Sequence, residues 1–177
     1  MAVAFGEALL GSENDLIWDF RIKGRIRTEE CLAERNCQWL YTLLSSERHR
    51  MICTFEAPDT ESVRESFRRG GTAFSRMWSG EIVMPEAPPS TPNEKGLKVF
   101  EHTYPQGFTW KQWDETNRRV LPCHAERGVE WVQSYVSSDR TRVICEINAP
   151  DAEVIRETYR RLNVPFDRGW SAMVIKP

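Results

Sequence analysis

The sequence predicts an α+β protein in which two tandem ferredoxin-like repeats pack sheet to sheet as a pseudo-dimeric α/β barrel. The first observation behind this prediction is a duplication, because residues 31–79 align without a gap on residues 123–171. The shared run reads ICTFEAPDTESVRESFRR in one copy and ICEINAPDAEVIRETYRR in the other. The second observation is that the segments of each copy follow the order β-α-β-β-α-β, which is the ferredoxin-like arrangement.

A proline-rich stretch separates the two copies and sets the predicted domain boundaries. Residues 85–96 read PEAPPSTPNEKG and hold four of the ten prolines, as an extended linker would. We therefore predict an N-terminal extension at residues 1–15, a first repeat at residues 16–84 and a second repeat at residues 97–177.

The first half of the second repeat is predicted to form a strand, a helix and a strand. KVFEHTY is rich in β-branched and aromatic residues, which favour a strand. TWKQWDETNRRVL begins with Thr109 three residues before Gln112, a spacing that predicts a capped helix. VEWVQSYV then alternates at period two, which predicts the second strand.

The second half repeats this order. The polar turn SSDR is followed by RVICEIN, which alternates like the strand before it. Asp151 is in the position of a helix N-cap, and Ile155, Tyr159 and Leu162 share one face of the helix that follows. GWSAMVI predicts the last strand.

The first repeat is predicted to have a shorter first helix. Asp19 and Trp39 are 20 positions apart, whereas Glu101 and Trp131 are 30 apart, which shortens the helix by about 15 Å. Only RTEECLAERNC is left to form it. The shorter helix leaves part of the sheet uncovered. Either N-terminal residues or another subunit cover this space, or it opens the barrel to a ligand.

This architecture predicts a cavity. A four-stranded sheet with both helices on one face leaves its other face exposed, and packing against a second sheet removes that surface from water. A tandem repeat supplies the second sheet in the same chain. We expect the facing sheets to line a pocket for a small-molecule ligand.

The amino-acid composition argues against nucleic acids and membranes as partners. The net charge of -2 and the pI of about 6.0 leave no basic stripe for phosphates, so we predict no nucleic-acid partner. No segment approaches the roughly 20 apolar residues of a membrane-spanning helix, and no signal peptide is recognisable. We expect a cytoplasmic protein without a membrane partner, and a homo-oligomer is left open.

Strand alternation selects the candidate site residues. On the first strands, Asp19 is taken as the counterpart of Glu101 and Phe20 as that of His102, and either Glu101 or His102 faces the cavity. On the third strand Glu146 faces it. The predicted catalytic residues are Glu101, His102, Glu146 and Tyr135. The predicted ligand-binding residues are Trp39, Tyr41, Trp131, Gln133 and Trp170, with Trp131, Gln133 and Tyr135 on one side of their strand.

A carboxylate buried in this cavity would have a raised pKa, which suits it for proton transfer. The sequence therefore favours a cofactor-independent cyclase or isomerase that acts on a largely apolar or aromatic metabolite. The alternative for Glu146 is an ion pair with Arg142 or Arg168. The alternatives for the whole protein are a non-catalytic metal-binding protein and an interaction module.

The three histidines are weak candidates for a metal site. His49 is predicted to lie solvated in a turn, and Cys123 and His124 are adjacent on a helix, where neighbours do not face each other. His102 lies on a strand, where the alternative to a site residue is a hydrogen-bonded core histidine.

The second copy also resembles a known family. GVEWVQSYVSSDRTRVICEINAPDAEVIRETYRRLNVPFDR is similar to a bacterial domain-of-unknown-function family that includes a small nickel-binding protein. The resemblance covers Val99 to Ile175 well and Ile17 to Val83 more loosely. It implies a ferredoxin-like fold, association through the sheets, and histidine ligands for nickel.

This chain departs from the family pattern in the second helix of each repeat. Where the resemblance implies histidine, the chain has Phe67 and Tyr159, at or next to the expected position. A carbocyclic ring cannot replace an imidazole ligand. We therefore predict no metal cofactor, with nickel as the alternative that the resemblance supplies.

Overall fold

The computed structural model describes residues 2–9, 25–87, 89 and 96–177. The chain divides into two compact units, Met1–Gly80 with Val174–Pro177, and Glu81–Met173. Antiparallel strands and helices alternate along both, which confirms the α+β class. These bounds differ from the predicted ones, because the first unit begins at Met1 and ends at Gly80, the second begins at Glu81, and the last four residues belong to the first unit.

The first unit builds a four-stranded sheet in the order β4-β1-β3-β2. Its elements are β1 (Ala2–Leu9), α1 (Arg25–Ala33), β2 (Gln38–Ser45), β3 (Arg50–Ala57), α2 (Thr60–Gly70) and β4 (Arg76–Val83). Asp59 caps α2 by accepting a 2.7 Å hydrogen bond from the backbone N–H of Ser62. The helix ends at Gly71, whose φ of 74° is the left-handed conformation that glycine adopts without strain.

Strand β1 corrects the predicted N-terminal extension, since residues 2–9 are the first strand of the sheet. Glu7 pairs with Ile52 as Glu101 pairs with Ile144, so Glu7 is the counterpart of Glu101. The predicted counterparts Asp19 and Phe20, and most of the predicted linker, lie outside the described residues. AVAFGEAL was missed because alanine and glycine are weak strand formers, and here flanking strands hold them in place.

The second unit builds the same sheet, in the order β8-β5-β7-β6. Its elements are β5 (Leu97–Thr103), α3 (Trp110–Ala125), β6 (Glu130–Ser137), β7 (Arg142–Asn148), α4 (Ala152–Arg161) and β8 (Arg168–Ile175). The predicted capping box of Thr109 and Gln112 is present, and Asp151 caps α4. Helix α3 has 16 residues, against nine described residues in α1.

In each core a large side chain on one strand lies opposite a glycine on the paired strand, and the two units carry the large side chain on opposite strands. Phe100 on β5 pairs with Gly169 on β8, and a Cβ at Gly169 would lie 2.4 Å from the Phe100 ring. In the first unit Gly6 pairs with Met77, and a Cβ at Gly6 would lie 3.4 Å from the Met77 methyl group. Because Gly6 corresponds to Phe100 and Met77 to Gly169, each unit fills the same space from the opposite strand.

Within the described ranges, no helix is both long and apolar enough to cross a membrane.

Candidate functional site

The sheet of the second unit divides the candidate residues between its two faces. Phe100 and His102 lie on the face covered by α3 and α4, which we call the helix side, and the rings of both contact Tyr159 of α4. Glu101, which alternates with them, lies on the opposite face. The structure thus separates Glu101 from His102.

On the opposite face, Glu101 is 1% exposed and holds three strands together. Trp170 Nε1 donates to its Oε1 at 2.8 Å, and Arg142 Nη2 donates to its Oε2 at 2.9 Å. Arg168 Nε lies 3.7 Å from the same Oε2. Arg142 and Arg168, the two arginines that the sequence analysis offered as alternatives for Glu146, thus both lie beside the carboxylate of Glu101.

The first unit contains the same arrangement. Trp78 Nε1 donates to Glu7 Oε1 at 2.8 Å, the distance found between Trp170 and Glu101. Since the tryptophan and carboxylate recur at corresponding positions of both units, they are part of the common scaffold.

Three predicted residues meet on the opposite face beside Glu101. Gln133 Nε2 donates to Glu146 Oε1 at 3.0 Å and to the Tyr135 hydroxyl oxygen at 3.0 Å. Glu146 and Tyr135 are buried. The positions of Gln133 and Glu146 are occupied in the first unit by Tyr41 and Thr54, so this network is particular to the second unit.

Trp131 does not share a face with Gln133, contrary to the prediction. The register of β6 shifts between these residues, and a bulge of this kind interrupts the alternation of side chains. The Trp131 ring lies 6.2 Å from that of Trp113 on α3, and its Nε1 donates to Ser134 at 2.9 Å. Trp39 follows the same irregularity in the first unit and packs against its helix-side core.

A cavity of about 180 Å³ lies on the helix side of the second unit, and we call it the helix-side pocket. Strands β5 and β7, helices α3 and α4 and the loops after β5 and α4 surround it. Its aromatic lining residues are His102, Tyr104, Phe108, Trp113 and Tyr159. Its polar lining residues on α3 are Gln112, Thr116 and Asn117. Aromatic walls with few polar groups are typical of small-molecule pockets.

His102, one of the residues that line this pocket, has an unsatisfied ring nitrogen. Its Nδ1 lies 2.7 Å from the carbonyl oxygen of Pro165. Because a carbonyl only accepts, Nδ1 carries the hydrogen of the neutral ring, and Nε2 is left with a lone pair. Nε2 is buried and has no hydrogen-bond partner among the described residues. Burial lowers the pKa of His102, so the ring is neutral at neutral pH.

The other titratable groups of the pocket are protonated at neutral pH. Burial raises the pKa of Tyr104 to about 12 and the pKa of Tyr159 well above its ordinary value, so both phenols keep their donors. Burial also raises the pKa of the Cys145 thiol to about 12, which makes it a poor nucleophile.

His124 lies against the same tyrosine. Its ring centroid is 5.6 Å from that of Tyr159, it is 2% exposed, and neither ring nitrogen has a partner in the described part of the chain. Burial lowers its pKa to about 4. Its neighbour Cys123 is half-buried, as expected for adjacent residues on a helix.

Sequence reasoning missed the helix-side pocket although a signal was available. His102, His124 and Tyr159 correspond to apolar residues of the first unit, and these are Ala8, Leu32 and Phe67. A comparison of the buried positions of the two copies would have shown three polar rings in one copy only.

A family profile described as nickel responsive protein SCO4226-like matches residues 25–79 and 99–170. The two segments are the two copies of the repeat, which confirms the resemblance found in the sequence. No curated protein is significantly similar to the chain.

Three solved structures are similar over nearly the whole chain. The suggested chlorite dismutase TA0507 has a TM-score of 0.50 at 9% identity, covering 99% of this chain and 96% of that one. An anthrone oxidase-like protein has a TM-score of 0.47 at 12% identity, with 99% and 91% covered. The suggested monooxygenase FN1347 from Fusobacterium nucleatum subsp. nucleatum has a TM-score of 0.47 at 9% identity, with 99% and 92% covered. At these identities a likeness concerns the fold alone.

The described residues do not fit a nickel site. Nickel takes imidazole and thiolate ligands, and no group of three or more histidine, cysteine, aspartate or glutamate side chains within the described ranges could hold an ion. Phe67 and Tyr159 lie in the apolar cores of their units, where the resemblance implies histidine.

Proposed function

We propose that this chain, which belongs to the SCO4226-like family of nickel responsive proteins, binds a small, largely apolar or aromatic molecule in the helix-side pocket of its second unit. The observation that carries the proposal is the buried Nε2 of His102, which has no partner among the described residues and belongs to a ring that lines the cavity. The proposed binding site for the small molecule therefore lies on the helix side of the sheet, whereas the sequence analysis expected it between the two sheets.

Energetics favour an occupant for this pocket. A buried acceptor without a hydrogen bond destabilises a protein by about 1–3 kcal/mol, and a ligand that donates to Nε2 would remove that term. The first unit avoids it, because alanine stands at the position of His102. The same fold therefore does not need a histidine there, which supports a role in binding.

A finer hypothesis concerns chemistry on the bound molecule. A neutral imidazole can accept a proton from an acidic C–H group at Nε2 and return it to another atom of the same molecule. This balances as an isomerisation or a cyclisation, with no oxidant and no cofactor. The protonated hydroxyls of Tyr104 and Tyr159 are candidates to stabilise an oxyanion that forms during the transfer.

The hypothesis of proton transfer can be tested with a metabolite retained through purification. After incubation in D2O, mass spectrometry should detect deuterium in the molecule with the wild-type protein and not with His102→Ala. Equal incorporation with both proteins would contradict a role for His102 in the transfer.

The residues of the opposite face remain a second proposal. Gln133, Glu146 and Tyr135 form a polar network that suits ligand contact, and their catalytic role is a prediction from the sequence. A catalytic role for Glu101 is less favoured, because the first unit has the same pair of carboxylate and tryptophan. The packing of the sheets against each other, the cavity between them and the cytoplasmic location also remain predictions.

The binding proposal can be tested by filling the helix-side pocket. Val143 lines it, and Met51 stands at the corresponding position of the first unit. We expect at least one small neutral aromatic compound to bind the wild-type chain in ligand-observed NMR, and Val143→Met to weaken that binding at least about tenfold by occupying the space. Met51→Val is the matched control and should leave binding unchanged. Absence of binding by every compound, or equal binding to Val143→Met, would contradict the proposal.

The family description favours a second candidate, a non-catalytic nickel-handling protein. His102 and His124 are the buried imidazoles of the second unit, and both contact Tyr159. Equilibrium dialysis with Ni²⁺ tests this candidate. Stoichiometric binding that His102→Ala abolishes would support nickel handling, whereas its absence in the intact chain would exclude it. An interaction module would then remain if the aromatic compounds also failed.

A further inference from the structure

We infer that the ligand of the helix-side pocket is a neutral molecule with one aromatic ring and a hydrogen-bond donor, which is the chemistry of a phenol. This inference rests on the proposed function of the pocket and adds the class of ligand to it.

The volume of the pocket matches a single aromatic ring. The cavity measures about 180 Å³. An apolar cavity of about 150 Å³ accommodates benzene, and the share of one water molecule in the liquid is about 30 Å³. The pocket therefore has room for a six-membered ring with one substituent of the size of a hydroxyl or amino group.

The lining of the pocket excludes a charged ligand. Its described residues contribute aromatic, aliphatic, thiol, hydroxyl and amide groups, and none of them is an aspartate, glutamate, lysine or arginine. A carboxylate or ammonium group would lose its hydration there without gaining a counter-ion, which is strongly unfavourable. Benzoate and anilinium ions are therefore excluded in favour of neutral compounds.

The tautomer of His102 determines whether the ligand must donate or accept a hydrogen bond. The N–H at Nδ1 is already used, because it donates to the carbonyl of Pro165 at 2.7 Å. Nε2 can only accept, so a ligand must bring the donor. An aromatic hydrocarbon would fill the space and leave this acceptor unpaired, which should weaken binding on the order of tenfold to a hundredfold relative to a phenol.

The comparison with the first unit sharpens the assignment. At the positions of His102 and Tyr159 the first unit has Ala8 and Phe67, both buried in an apolar core. Neither offers the acceptor that a phenol needs. We therefore expect one phenol molecule per chain.

Binding of phenol, toluene and benzoate to the full chain tests the inference. Isothermal titration calorimetry should give a dissociation constant for phenol at least about tenfold lower than for toluene, and no binding of benzoate. His102→Ala should bring phenol to the affinity of toluene. His49→Ala changes an exposed histidine in a turn and should leave all three results unchanged.

A second measurement needs no variant. The ¹⁵N chemical shift of His102 Nε2 should change when phenol is added and stay constant when toluene is added, since only phenol donates to it. Equal affinities for phenol and toluene would overturn the ligand class and leave the proposed pocket standing. Failure of both compounds to bind would overturn the pocket as well.

Discussion

The helix-side cores of the two units are built on the same elements and differ in polarity. The first unit packs Leu32 and Phe67 into an apolar core, whereas the second places His124 and Tyr159 at these positions. Both ring nitrogens of His124 lack partners among the described residues. The comparison teaches that the fold accepts apolar residues at these positions and does not require the polar rings.

The framework around these cores is common to both units. Arg64 Nη2 donates to the carbonyl of Met77 at 3.3 Å, and Arg156 Nη2 donates to that of Gly169 at 2.8 Å. The aspartate caps of α2 and α4 and the pairs of carboxylate and tryptophan also recur. Within this common framework the units differ in particular side chains, and substitutions can exchange them.

The largest effect is expected from Glu101→Gln, which tests the common framework. The substitution removes the carboxylate charge that Glu101 places 2.9 Å from the buried guanidinium of Arg142, and loss of one member of a buried ion pair destabilises a protein by about 3–5 kcal/mol. Urea denaturation should show this loss. The matched control is Glu153→Gln, which removes exposed ion pairs with Arg156 and Arg160 and should leave the urea midpoint nearly unchanged, because solvent screens exposed pairs. Equal effects would show that Glu101 does not hold the sheet.

The second-largest effect is expected from exchanging the large and the small residue of the pair Phe100 and Gly169. Phe100→Gly should leave a cavity, and Gly169→Met should collide with the Phe100 ring, so each is destabilising alone. The double variant reproduces the pair Gly6 and Met77 of the first unit. We expect it to be more stable than the sum of the single effects by about 1–3 kcal/mol in a double-mutant cycle. Additive effects would mean that the two units do not share this packing.

The smallest effect is expected from His124→Leu, which gives the second unit the residue of the first. Because the pKa of His124 is lowered to about 4 in the folded state, the unfolded chain binds more protons between pH 6.5 and 4, and stability falls as the pH falls through this range. The variant should gain about 1–2 kcal/mol at pH 7, where it removes unpaired polar atoms, and more at pH 5.

Denaturation curves at pH 7 and pH 5 measure this gain, and His49→Ala serves as the exposed control. A variant with the same pH dependence as the wild type would show that His124 does not titrate with a depressed pKa.

Local signals explain why most elements of the second unit were predictable. The spacing of Thr109 and Gln112 predicts the start of α3, and Asp151 predicts the start of α4, because a helix start depends on hydrogen bonds between near neighbours. Strand β1 escaped prediction because Ala2–Leu9 carries a weak pattern of its own and depends on β3 and β4 for its pairing.

The candidate site was less predictable than the fold. Gln133, Glu146 and Tyr135 were expected together, and they meet because alternation along regular strands is a local property. Trp131 was assigned to the wrong face, since a bulge arises from the register between two strands and leaves no period in the sequence.

By itself, the sequence determined the duplication, the α+β class, the helix caps and most strands, because these depend on residues close together in the chain. The tertiary structure alone decided that Glu101 meets Trp170 and Arg142 while His102 turns to the helix side, and that a pocket lies beside His102. A pocket depends on how side chains from distant segments fill space. Whether His102 Nε2 finds a partner there is a property of all its neighbours together.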